Sequence, residues 1–119
     1  MINIAIIDRN DTHRKSLKTI LEQVEGFRVV LDSGDSSILR NIATSPVRVA
    51  LIDIGFGREK CMELISEAYG RDDFYKIIML VIFRDELKLD FGKAGIMLKS
   101  SDKKEFEDKI REQLSTKNQ

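Results

Sequence analysis

Asp8, Asp53 and Lys99 are the residues of this 119-residue chain best placed to do chemistry. Asp8 follows the apolar run Ile4-Ala5-Ile6-Ile7, Asp53 follows Val49-Ala50-Leu51-Ile52, and Lys99 follows Gly95-Ile96-Met97-Leu98. If those runs are strands of an open parallel sheet, their carboxyl ends share one edge, and ligand chemistry collects there. Two carboxylates and one ammonium on that edge make a polar site for a small charged group. Arg9 adds a second cation directly after Asp8. Other residues offer less. His13 and Cys61 are the only residues of their types, so no zinc site has its ligands. His13 reads as an exposed helix residue with nothing nearby to position it as a base. Cys61 lies on the apolar stripe of a helix and reads as core.

The elements that must position these groups alternate. Ile2 to Ile7 is apolar and β-branched, as a buried strand requires. Asn10 or Asp11 then caps a helix carrying Leu17, Ile20, Leu21 and Val24 at helical spacing, with Gly26 at its end. Phe27 to Leu31 reads as a second strand. Ile38, Leu39, Ile42 and Ala43 read as a short helix stopped at Ser45-Pro46. Val47 to Ile52 is a third strand, followed by a helix from about Glu59 to Tyr69. Ile77 to Phe83 reads as the most strongly buried strand, and Phe83 to Phe91 as a short, weakly specified helix. Gly95 to Leu98 is a fifth strand. Asp102 and Glu105 form a capping box for a last helix, striped by Phe106, Ile110 and Leu114. Five strands interleaved with helices imply a parallel sheet covered on both faces and, with right-handed crossovers, doubly wound.

Composition bounds the rest. The length suits one domain, residues 1–119 with a core of about 3–114. Lys plus Arg and Asp plus Glu are 20 each, so the chain lacks the basic excess of a nucleic-acid or membrane-surface binder. The run Ile77 to Phe83 is far too short to span a bilayer, and Met1-Ile2-Asn3 lacks the positive region of a signal peptide. A single cysteine fits a reducing compartment, so a cytoplasmic location is expected.

With Ile6-Ile7-Asp8, Leu51-Ile52-Asp53 and Leu98-Lys99 closing the first, third and fifth strands, the chain resembles the receiver domain of two-component response regulators over about Asn3 to Leu114. The resemblance implies a single α/β domain: a flavodoxin-like, doubly wound, five-stranded parallel sheet. It also implies phosphorelay signal transduction, with Asp53 as phosphoacceptor from a histidine kinase and Lys99 contacting the phosphoryl oxygens. Asp8 would belong to the acidic pocket that binds Mg²⁺, and the Gly55 carbonyl would complete the metal site. The implied protein is an interaction module and no multiple-turnover enzyme. Its partners would be a histidine kinase or another signalling protein. A second copy would pair through the face of the fourth helix, fifth strand and fifth helix.

The departures from the family pattern are specific. Receivers usually carry two adjacent acids after the first strand, but here Arg9 follows Asp8. A guanidinium offers no oxygen ligand for Mg²⁺. Asp8, Asp53, Arg9 and Lys99 sum to zero charge, so Arg9 is expected to replace the metal by pairing with Asp8, Asp53 or both, leaving Mg²⁺ binding weak or absent. Val81 stands where the family has Thr or Ser, and cannot hydrogen-bond a phosphoryl oxygen. Ile96 replaces the switch aromatic. These changes imply an atypical receiver with degenerate switching.

Rival readings are weaker. A small Mg²⁺-dependent phosphatase-like enzyme using Asp8 is the alternative, but haloacid-dehalogenase phosphatases place two acids one residue apart. Asp8 and Asp11 are three apart, and Asp11 suits a helix cap. Asp8 to Arg14 lacks the glycines of a flavin-phosphate loop, and Gly55-Phe56-Gly57 is not followed by a Walker signature.

Overall fold

The computed structural model describes residues 1–39, 46–70 and 75–115. Five parallel strands form one sheet: β1 (Ile2–Ile7), β2 (Phe27–Ser33), β3 (Val49–Asp53), β4 (Lys76–Val81) and β5 (Gly95–Leu98), in the order β2-β1-β3-β4-β5. The α-helices among the described residues are α1 (Asp11–Glu22), α2 (Arg58–Tyr69) and α3 (Lys103–Ser115). The expected doubly wound α/β fold is therefore present.

Strand alternation sorts the core into two layers. Ala5, Ile7, Ala50, Ile52, Ile77 and Met79 face one side and pack with Cys61, Leu64, Ile65 and Ala68 of α2. Ile4, Ile6, Val49, Leu51, Ile78 and Leu80 face the other, against Leu17 and Leu21 of α1 and Phe106 and Ile110 of α3. Successive strand residues point to opposite faces, so only a sheet covered on both sides buries every residue of such runs. Each fully buried Leu or Ile side chain contributes about 1.5–3 kcal/mol of transfer free energy.

Helix ends follow local chemistry. Asn10 Oδ1 accepts the His13 N–H at 2.9 Å and fixes the start of α1. Asp102 and Glu105 exchange reciprocal bonds of 2.8 and 3.0 Å ahead of α3, as their spacing predicts.

Several boundaries differ from expectation. β2 continues to Ser33 because Asp32 and Ser33 pair with Ile6 and Ile7. β4 ends at Val81, not Phe83. The Glu86 carboxylate accepts the N–H groups of Ile82 and Phe83 at 3.0 and 2.8 Å, which turns the chain out of the sheet. Ile82 and Phe83 are consequently 57% and 67% exposed instead of buried. The helix expected over Phe83 to Phe91 is one 3₁₀ segment, Arg84–Lys88, in a stretch too short for more. Of the helix expected around Ile38 to Ala43, residues 36–39 form a 3₁₀ turn and the remainder lies outside the described residues.

Candidate functional site

The sheet order brings β1 and β3 together at its centre, with β4 and β5 beyond, so Asp8, Asp53 and Lys99 emerge at one edge. Lys99 Nζ lies 3.0 Å from Asp8 Oδ2 and 2.9 Å from Asp53 Oδ1. One ammonium thus bridges two buried carboxylates. Its backbone is anchored too, since the Lys99 N–H donates to the Val81 carbonyl at 2.7 Å. Val81 is fully buried as the last residue of β4, and Ile96 on β5 is partly buried against the α2 side of the core.

The remaining carboxylate oxygens are also engaged. Asp8 Oδ1 accepts the Asn10 N–H at 2.8 Å, and Asp53 Oδ1 accepts the Gly55 N–H at 2.8 Å. The second of these caps a 3₁₀ turn over Ile54–Phe56 that carries the chain into α2. Gly57 closes this turn with a φ of 97°, a conformation costly for residues with a Cβ.

Arg9 lies over Asp53. Its Nε is 3.8 Å from Asp53 Oδ2, an ion pair but too long for a hydrogen bond. The guanidinium also sits 5.6 Å from the centre of the Phe56 ring. With the Arg9 side chain 59% exposed, the pair is worth about 1 kcal/mol or less. Gly55 makes room for this arrangement: a Cβ there would run into the guanidinium and come within 2.8 Å of Asp53 Oδ2. Among the described contacts, Arg9 meets Asp53 and not Asp8.

The partner of Asp8 is a residue that the sequence does not mark. His13 Nδ1 is 2.5 Å from Asp8 Oδ2, and His13 Nε2 is 3.5 Å from the Lys99 carbonyl oxygen. Its ring is only 22% exposed, not the solvent-facing helix residue that sequence alone suggests. The available signal was positional. His13 is the third residue of a helix capped two residues after a strand-end acid, so its first turn faces the same edge. Arg14 closes the flank, with Nη1 donating to the Asp8 carbonyl at 2.7 Å and Nη2 pairing with Asp11 at 2.8 Å.

These contacts set the charge state of Asp8. Burial raises its pKa, but the His13 bond, the Asn10 N–H and Lys99 outweigh that and hold it well below the usual carboxylate range. The Cys61 thiol is pushed up to about 11 by burial and by the nearby Asp53 charge. It donates weakly to the Asp53 carbonyl at 3.8 Å, as a core residue would.

The donor set does not fit Mg²⁺. That ion needs hard oxygen ligands in near-octahedral geometry. Here Asp8 Oδ1 and Oδ2 and Asp53 Oδ1 face N–H donors, and Asp53 Oδ2 faces a guanidinium. No group of three metal-ligating side chains occurs among the described residues.

The sheet order, with helices on both faces, defines a class, the flavodoxin-like α/β fold. Solved structures of response regulators share this fold over nearly the whole chain. A complex of CheY6 with the phosphorylated P1 domain of CheA3 from R. sphaeroides matches at 24% identity and a TM-score of 0.68, covering 97% of this chain and 98% of that one. A LuxR-family DNA-binding response regulator from Staphylococcus aureus matches at 15% identity and 0.78, covering 97% and 100%. A response regulator from Thermotoga maritima matches at 16% and 0.76, covering 98% and 99%. No protein-family model and no curated protein sequence matches the chain.

Proposed function

We propose that this chain is a receiver domain of two-component phosphorelay signalling, with Asp53 at the phosphoacceptor position and Lys99 contacting the phosphoryl oxygens. The observation that carries this reading is Lys99 Nζ between Asp8 and Asp53, at 3.0 and 2.9 Å, on the carboxyl edge of a receiver-type sheet. Fold alone does not assign function, so the weight rests on that constellation.

The chemistry follows from the contacts. Asp53 Oδ1 is held by Gly55 and Lys99, so Oδ2 is the freer oxygen and the nucleophile. A bond forms from Oδ2 to phosphorus as the P–N bond of a phosphohistidine donor breaks, and the leaving imidazole keeps the electron pair. Lys99 and a displaced Arg9 neutralise the equatorial oxygens, the term on which phosphoryl transfer depends. In this reading the module signals by protein contact and does not turn over a substrate repeatedly. A kinase-type phosphohistidine protein is the partner whose chemistry fits. The alternative pairing with a second copy would use the face formed by 84–88, β5 and α3.

The same contacts support a degenerate member. Arg9 stands where a second acid would face the site, Val81 lacks a hydroxyl, and Ile96 lacks the ring of the switch position. An equilibrium shifts only through contacts that differ between its states, and these replacements remove two of them. Asp8 is fully buried with both oxygens engaged, which gives no support to a phosphatase using it as nucleophile.

Incubation with acetyl phosphate and Mg²⁺, followed by intact-mass measurement, tests this reading. The wild type is expected to accumulate little adduct, and whatever forms should vanish in Asp53→Asn. A stable, stoichiometric adduct lost in that variant would overturn the degeneracy. An adduct that persists in it would overturn the assignment of Asp53.

A further inference from the structure

His13 makes a second link between Asp8 and Lys99, beside the Lys99 ammonium itself. Its backbone is fixed by the Asn10 cap at 2.9 Å, at the start of α1 beside Asp8. One ring nitrogen meets the Asp8 carboxylate at 2.5 Å and the other meets the Lys99 carbonyl at 3.5 Å. The closer of the two neighbours is the Asp8 carboxylate, an acceptor for a ring N–H. Asp8 Oδ2 is therefore shared between the imidazole and the Lys99 ammonium, while Oδ1 is taken by the Asn10 N–H. Both Asp8 oxygens are therefore engaged within the chain.

We propose that His13 is a positioning residue that locks the Asp8 carboxylate onto Lys99 and takes an Asp8 oxygen that a divalent cation would need. Exclusion of the metal then rests on two residues acting on different acids: Arg9 on Asp53 and His13 on Asp8. This inference deepens the receiver reading and rests on it for the identity of the excluded ion. It differs from a loss of metal affinity caused by Arg9 alone, because it predicts that replacing Arg9 by an acid leaves the site half closed.

The test is a Mg²⁺ titration followed by backbone amide NMR at Asn10, Gly55 and Lys99, in Arg9→Asp, in Arg9→Asp with His13→Leu, and in Arg9→Asp with His13→Gln. Groups that orient a metal's ligands change affinity by about 10–100-fold, so Arg9→Asp with His13→Leu should bind Mg²⁺ at least about tenfold more tightly than Arg9→Asp. Glutamine keeps a donor toward Asp8 and should return the affinity toward that of Arg9→Asp. Equal affinities in all three variants, or tighter binding without the histidine that glutamine does not reverse, would overturn the proposal.

A second readout needs no metal and no second substitution. In the otherwise unaltered chain, Asp8→Asn should move the His13 ring ¹⁵N resonances and the Lys99 amide together. Unchanged ring resonances would contradict the bridge, even if the leucine variants fail to fold. Acetyl phosphate separates the two levels of the argument. Mg²⁺ binding that tightens as described, with no Asp53 adduct even in the metal-binding variants, leaves His13 as positioned and removes Asp53 from the phosphoacceptor role. An adduct in Arg9→Asp with no dependence on His13 does the reverse.

Discussion

Lys99 neutralises two buried carboxylates at once, so its loss leaves charge that the fold cannot solvate. Lys99→Met keeps most of the side-chain volume and should destabilise the protein by about 3 kcal/mol in urea unfolding, the scale for breaking a buried pair. Asp8 gives a pH dependence of known sign. Its folded pKa lies below the ordinary value of 3.8, so the unfolded chain binds the proton more readily. The stability from ionised Asp8 is complete above that ordinary value and declines as pH falls below it toward the folded value. Asp8→Asn should flatten this acid limb, as thermal unfolding between neutral pH and pH values below the ordinary carboxyl range would record. At this scale the sequence was partly legible. Asp8, Asp53 and Lys99 stand out because strand ends are visible in hydropathy, and hydropathy fixes which edge they share. His13 did not stand out, because its partner is reached only through the turn of the Asn10 cap.

Elements were legible where burial on both faces leaves a continuous apolar run, as in Ile4 to Ile7 or Ile77 to Val81. They were misjudged where such a run continues past the sheet. Ile82 and Phe83 extend the apolar run of β4, yet Glu86 takes their N–H groups and turns them outward. Phe83→Ser should therefore change stability by no more than about 0.5 kcal/mol in urea unfolding, whereas a buried phenylalanine would cost several times more. Gln113 is the opposite case, a polar residue that α3 buries. Its Nε2 donates to the Lys93 carbonyl at 2.9 Å and to Tyr69 Oη at 3.1 Å, and Gly95 leaves it room. Position 113 is seven residues past Phe106 on the buried stripe of α3, but its polar side chain gives no sign of burial. On α2, Cys61 is buried with its thiol pushed up to about 11, and the thiolate is the reactive form. It should resist a disulfide reagent at neutral pH in the native protein and react on addition of denaturant.

Across the whole molecule, the two apolar layers share one sheet, so neither layer survives alone. Far-UV circular dichroism and tyrosine fluorescence should report coincident urea transitions, as a cooperative single domain requires. Alternation of strands and helices made this architecture readable, and the order β2-β1-β3-β4-β5 then places the site without further information. The order itself, and the shortening of the segment after β4 to a 3₁₀ turn, depend on tertiary contacts that no local pattern encodes. What the assembled edge adds is a charge balance drawn from the chain itself, with Lys99 and Arg9 set against Asp8 and Asp53. The most direct test is a Mg²⁺ titration of the unaltered protein, followed at the amides of Asn10, Gly55 and Lys99. The account predicts no saturable shift of these resonances through millimolar Mg²⁺. Saturable, site-specific binding at millimolar or lower concentration would contradict it.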